Sequence, residues 1–141
     1  FDSWAGVLSP MDFDVFAAPY HKMVVDIIKK KHPKVPLIVY ISQGASLLER
    51  MAAAGFDVVS VDWTIDMTDA RKRLGPSVAV QGNMDPAVLY GSKESITERI
   101  MDTIQKAGKT GHIMNLGHGV MPTTPEENVA HYFETVQNFR W

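Results

Sequence analysis

Apolar positions along this chain follow two rhythms: short continuous runs, and stripes spaced three or four residues apart. Val35 to Ile41, Asp57 to Asp62, Val78 to Gly82 and His112 to Leu116 are runs with β-branched residues and read as four buried strands. Helical stripes separate them. Ser9-Pro10-Met11-Asp12 predicts a helix start, with a capping hydroxyl and a proline at the first helical position. Phe13, Phe16, Ala17, Tyr20, Val24 and Ile27 continue at helical spacing; Pro19 is expected to split this segment, and Lys29-Lys30-Lys31 suits its C-terminus. Leu47, Leu48, Met51 and Ala52 form the next stripe, with Gly55 as its stop. Asp66, with Asp69 three residues on, begins a short helix ending at Leu74-Gly75, and Asp85-Pro86 opens a further helical turn. Ile96, Ile100, Ile104 and Ala107 carry a longer helix stopped by Gly108. Thr124-Pro125-Glu126-Glu127 predicts a capping box, and Val129, Phe133 and Val136 the apolar face of the last helix.

Phe1-Asp2-Ser3-Trp4-Ala5-Gly6 reads as the end of a strand running into a loop, so the upstream half of that strand is expected to be missing. The order is then a strand end, a helix, and four strand–helix units, in a single partial domain over residues 1–141 with no linker. Strands buried on both faces and separated by helices imply a parallel α/β sheet. A doubly wound open sheet and part of a (β/α)₈ barrel both fit. A whole barrel needs ~250 residues.

In both architectures ligands bind at the C-terminal ends of the strands. Polar residues collect there: Asp2-Ser3, Ser42-Gln43-Gly44, Asp62-Trp63-Thr64, Gln81-Gly82-Asn83 and Asn115-Leu116-Gly117-His118-Gly119. The blander reading is that they cap helices and satisfy loop backbone. His118 is the sharpest candidate. Flanking glycines allow unusual dihedrals and a close approach to a ligand, and an imidazole can meet a carboxylate or shuttle a proton near neutral pH. Ser3 has no Ser-His-Asp arrangement around it and reads as a hydrogen-bond donor to a ligand, not a nucleophile. Asp62 reads slightly better as a cap for its own loop than as a catalytic group. His21, His32 and His131 fall on helices as solvated or interfacial residues, and His112 opens a strand as a structural one.

Composition removes whole classes of function. Lys plus Arg is 14 and Asp plus Glu is 16, a net charge of −2, which argues against an electrostatic nucleic-acid binder and against a basic membrane-surface segment. There is no cysteine, hence no disulfide, thiolate zinc site or thiol nucleophile. The histidines lack metal-ligand spacing, so no metal is expected, and neither a dinucleotide fingerprint nor a Walker pattern is present. No apolar run approaches the ~18 residues of a membrane span.

Four of these segments carry a resemblance. Phe1-Asp2-Ser3-Trp4-Ala5-Gly6, Val61-Asp62-Trp63-Thr64, Gln81-Gly82-Asn83-Met84-Asp85-Pro86 and Asn115-Leu116-Gly117-His118-Gly119 together resemble the uroporphyrinogen decarboxylase family, over essentially all 141 residues. The tail from Thr124 to His131 looks most like the plastid and cyanobacterial branch, which implies a plastid or cytoplasmic location. The resemblance implies the C-terminal half of a (β/α)₈ TIM barrel, usually a homodimer, that works without metal or organic cofactor. The implied reaction removes carboxyl groups from the acetate side chains of uroporphyrinogen III, giving coproporphyrinogen III on the route to haem and chlorophyll. It implies that Ser3 is a substrate-binding serine and His118 the catalytic histidine, in contact with a substrate carboxylate. The family's site aspartate, arginines and tyrosine lie in the N-terminal half, which this sequence lacks. Arg50, Arg71, Arg73, Arg99 and Arg140 fall on predicted helices, away from the rim. The 141-residue chain alone is therefore expected to be inactive. The alternative is a non-catalytic remnant serving as a structural or interaction subunit, with a protein partner covering the open half barrel. A corrinoid or methionine-synthase type of methyltransferase would need zinc on Cys and His, and the absence of cysteine counts against it.

Overall fold

Each expected strand and helix forms, in the expected order. The computed structural model describes residues 1–141. Strands β1 (Ile38–Tyr40), β2 (Val58–Ser60), β3 (Ala79–Met84) and β4 (His112–Leu116) make one parallel sheet in the order β1-β2-β3-β4. Phe1 to Ser3 continue it beyond β1: the Asp2 amide donates to the Tyr40 carbonyl at 3.1 Å, and the Ser42 amide donates to the Ser3 carbonyl at 3.2 Å. Helices α1 (Pro10–Phe16), α2 (Ala18–Lys31), α3 (Leu48–Ala53), α4 (Met67–Leu74), α5 (Lys93–Ala107) and α6 (Glu126–Asn138) alternate with the strands. Each helix packs on the next in chain order. A doubly wound sheet reverses its strand order at a switch point. This sheet never reverses, which is the winding of a (β/α)₈ barrel carried through four successive strands.

Register explains where the core lies. Val39, Val59 and Val80 are lateral partners across β1, β2 and β3, at most 5% exposed, and face the helices. Leu47, Leu48, Met51, Met67 and Ala70 pack in the same cluster. A second cluster joins Met84 and Leu116 to Leu89, Ile96, Ile100, Ile104 and Tyr132. The next residue along each strand points the other way, so Tyr40, Ser60 and Gln81 form a polar row on the opposite face.

Local caps follow the sequence. The Ser9 hydroxyl accepts from the Asp12 amide at 3.1 Å, the Asp66 carboxylate from the Thr68 amide at 2.8 Å, and the Asp85 carboxylate from the Ala87 amide at 2.9 Å. Pro19 lies in the first turn of α2, just after the break at Ala17. Gly55, Gly75 and Gly108 end their helices at positive φ. No helix is long and apolar enough to cross a membrane.

Four expectations are corrected. Only β2 is buried on both faces; β1 and β4 leave Ile38 and Ile113 46% and 44% exposed on the inner side. The run from Val35 is strand only from Ile38, since the Leu37 amide donates to the Asp57 carboxylate. On α1 and α2 the inward row is Phe13, Ala17, His21, Val25 and Ile28, while Phe16, Tyr20, Val24 and Ile27 face outward. The capping box does not form. Pro125 occupies the cap position of α6, the Thr124 hydroxyl is buried without a partner, and Tyr132 turns inward in place of Phe133.

Ile100 is fully buried at the centre of the second cluster. Ile100→Ala should cost about 2–5 kcal/mol, read as a lower urea midpoint with an unchanged slope.

Candidate active site

The polar row borders an open cavity of about 250 Å³ on the inner face. Its walls are Phe1, Tyr40, Ser60, Gln81, Asn115, Leu116, His118 and Gly119, so side chains from five neighbouring chain segments meet there. Gln81 donates through Nε2 to the Ser60 hydroxyl at 3.1 Å. The buried Tyr40 hydroxyl lies 3.0 Å from both the Gly117 carbonyl and His118 Nδ1. The Tyr40 and His118 rings stack with centroids 5.8 Å apart and planes 16° apart, and Trp63 is a second aromatic neighbour at 6.2 Å. Burial pushes the Tyr40 phenol up, so it remains a neutral donor across the physiological range.

His118 reaches this position because the chain crosses the end of β2 at Gly117. A Cβ there would lie 2.6 Å from the Trp63 amide nitrogen and 3.0 Å from the Asp62 carbonyl carbon. Gly119 has open space around it, and neither glycine takes positive φ. The expectation of unusual dihedrals is thus corrected. Gly117 is required for close approach to the neighbouring strand end.

Other strand-end residues hold the rim rather than face a ligand. Asp62 is 3% exposed and accepts from the Gln43 amide, the Thr64 amide at 2.9 Å and the Thr64 hydroxyl at 2.5 Å. Those bonds tie together the loops after β1 and β2. Asn83 donates to the carbonyls of Asp62 and Ile65 at 2.9 and 2.7 Å. The capping reading therefore holds for Asp62 and Asn83, while Gln81, Asn115 and His118 face the cavity.

Ser3 is half-buried and is not among the residues lining the cavity; Phe1, two positions earlier, is. The Ser3 carbonyl joins the sheet, and Asp2 anchors the segment to α2 through His21 Nε2 at 2.9 Å. The His21 ring packs edge-on between Phe13 and Phe56. His131 joins α6 to α5 through the Thr97 hydroxyl at 2.9 Å, and His32 is exposed beyond α2. His112 donates through Nε2 to the Gly82 carbonyl at 2.7 Å, and burial lowers its pKa.

Tyr40 and Ser60 are site residues that the sequence reading missed. Both are hidden inside apolar runs. The signal that finds them is lateral register, which aligns them with Gln81.

No Asp, Glu, Lys or Arg side chain lines the cavity. Arg50 forks onto Asp14 and Arg73 onto Glu49, both between helices. Arg71 is spent on the carbonyls of Val78 and Thr110, and Arg140 on those of Gln137 and Phe139. Arg99 borders a separate cleft of about 310 Å³ on the helix side, where Lys106 already pairs with Asp66 and Asp102. No three His, Asp or Glu side chains converge in metal-ligating geometry. The cavity offers neutral hydrogen-bond groups and one imidazole.

The family model for uroporphyrinogen decarboxylase (URO-D) matches residues 1–139. A protein from Oryza sativa subsp. japonica named uroporphyrinogen decarboxylase 2, chloroplastic is 59% identical over 141 residues, covering 100% of this chain and 36% of that protein. A uroporphyrinogen decarboxylase from Picosynechococcus sp. is 62% identical over 138 residues, covering 98% of this chain and 39% of that protein. The chain therefore spans less than half the length of these relatives. Among solved structures, a methyltransferase from Methanosarcina mazei superposes with a TM-score of 0.81 at 20% identity, over 96% of this chain and 39% of that one. That likeness is one of fold.

Gly117→Ala should destabilise by about 1–3 kcal/mol, since backbone would have to move, while Gly119→Ala should stay within about 0.5 kcal/mol; paired urea titrations check this. The lowered His112 pKa means that the unfolded chain takes up a proton which the native state resists. Its stabilising effect is complete above the ordinary histidine pKa of about 6.5 and declines as pH falls below it. His112→Gln should flatten the loss of stability between about pH 7.5 and pH 5.5, measured by unfolding at each pH.

Proposed function

The chain belongs to the uroporphyrinogen decarboxylase family, and from that membership we propose that it forms the C-terminal part of a barrel that decarboxylates uroporphyrinogen III to coproporphyrinogen III. The carrying observation is the family match over residues 1–139, which includes both candidate site segments. A pyrrole acetate loses CO₂ once the ring is protonated, because the ring then accepts the electron pair of the breaking carbon–carbon bond. Protonation of the resulting methylene gives a methyl group, and loss of the ring proton restores the pyrrole. Each cycle consumes one proton and one carboxylate and releases one CO₂. His118 is positioned to meet the substrate carboxylate or to pass a proton, a contribution worth about 10²–10⁴-fold when well placed. Ser3 is the proposed second substrate contact, reached from the end of its strand.

The cavity carries no cation, whereas the substrate is a polyanion. Counter-charges must therefore come from outside this segment, and activity belongs to a completed barrel acting as a homodimer. The proposed compartment is a plastid, on the likeness to the chloroplastic rice relative, or the cytoplasm.

The test is a chimera in which this chain replaces the matching segment of the Picosynechococcus relative. The chimera should form coproporphyrinogen III, its His118→Asn variant should lose at least about 100-fold in kcat/KM, and the 141-residue chain alone should be inactive. A folded chimera that binds the tetrapyrrole without releasing CO₂ would favour a non-catalytic remnant.

A further inference from the structure

We propose that Tyr40 is a positioning residue whose hydroxyl holds His118 as the Nδ1–H tautomer, leaving Nε2 as the nitrogen that exchanges a proton or meets a carboxylate. The inference rests on the reading of His118 as the substrate-facing group and specifies which of its atoms does that work.

A phenol has one proton to give and two lone pairs. The Tyr40 hydroxyl has the Gly117 carbonyl and His118 Nδ1 at 3.0 Å, and the Ser42 hydroxyl, which donates to the phenol oxygen, as a further neighbour. The carbonyl can only accept, so the phenol proton goes to it. The phenol oxygen then accepts, and the hydrogen in that second bond belongs to His118 Nδ1. The reverse assignment would send the phenol proton to Nδ1 and leave the Gly117 carbonyl without it, which is costly beside a buried residue. Burial raises the Tyr40 pKa and keeps that proton in place.

The stacked rings hold the plane of the imidazole, and a flip within that plane would put Cδ2 where Nδ1 lies and break the hydrogen bond. Nε2 makes no hydrogen bond to the protein, and His118 forms part of the cavity wall. With Nδ1 already carrying hydrogen, a proton taken up by the neutral ring goes to Nε2. The resulting imidazolium keeps its Tyr40 bond and presents Nε2–H to an anion. The register that sets Val39 against Val59 beneath the helices is what turns Tyr40 toward His118.

The experiment uses full-length protein carrying this chain, with ¹⁵N-labelled histidine rings and the His118 signals assigned by their loss in His118→Asn. In the neutral ring, Nδ1 should appear as the protonated nitrogen and Nε2 as the lone-pair nitrogen. Tyr40→Phe keeps the ring and removes the hydroxyl. It should shift His118 toward the Nε2–H form and lower kcat by about 10–100-fold with little change in KM, as expected for lost orientation. A wild-type His118 already in the Nε2–H form would overturn the proposal without any variant, as would Tyr40→Phe spectra identical to wild type. Loss of the tautomer in Tyr40→Phe, in a protein that never decarboxylates, would sink the proposed function and leave this inference standing.

Discussion

Parallel register across β1, β2 and β3 is the constraint on which the rest of this molecule depends. It sets Val39, Val59 and Val80 in one row against the helices, and Tyr40, Ser60 and Gln81 in the next row on the open face. Side chains alternate with a period of two, so a slip of one residue would turn the polar row into the helix layer and the valines to the inner face. Core and site are thus specified by the same hydrogen-bond ladder. Helix packing then reinforces it, because each helix rests on its sequential neighbour and on one side of the sheet only.

The rim of the sheet shows how buried polar groups divide between structure and site. Asp62 and Asn83 are almost fully covered and spend their hydrogen bonds on loop backbone. Leaving such groups unpaired in a dry environment would cost more than their bonds contribute. Once those loops are tied, the chain leaving β4 can cross the end of β2 at Gly117 and deliver His118 beside Tyr40. The imidazole is therefore placed by a chain of backbone constraints that begins two strands away.

Charge follows a different rule. The arginines lie in the helix layer, where two of them fork onto carboxylates of neighbouring helices and two more cap carbonyls. Exposed pairs of this kind contribute little stability individually but keep cations off the inner face. What remains there is hydrogen bonding and one imidazole, a combination that can orient a carboxylate but cannot neutralise several. Under the proposed function, the cations that a polyanionic substrate needs must come from outside this segment.

Much of this was legible in the sequence because it is local. The Ser9, Asp66 and Asp85 caps, the stop glycines and the Ile96-Ile100-Ile104 stripe rest on interactions within a few residues, and strand–helix alternation follows from them. His118 stood out for the same reason, as a histidine between glycines at a strand end. Ambiguity between an open sheet and a barrel persisted because it concerns the order of strands, a non-local property. Phe16, Tyr20, Val24 and Ile27 misled because two apolar faces share α1 and α2, and only packing selects the row that contains Phe13 and Val25. Tyr40 and Ser60 were invisible as site residues, since their side of the sheet is set by partners 20 or more positions away. The sequence by itself determined the elements, their order and the imidazole; tertiary structure decided which face each residue serves, because register and close backbone approach exist only between segments.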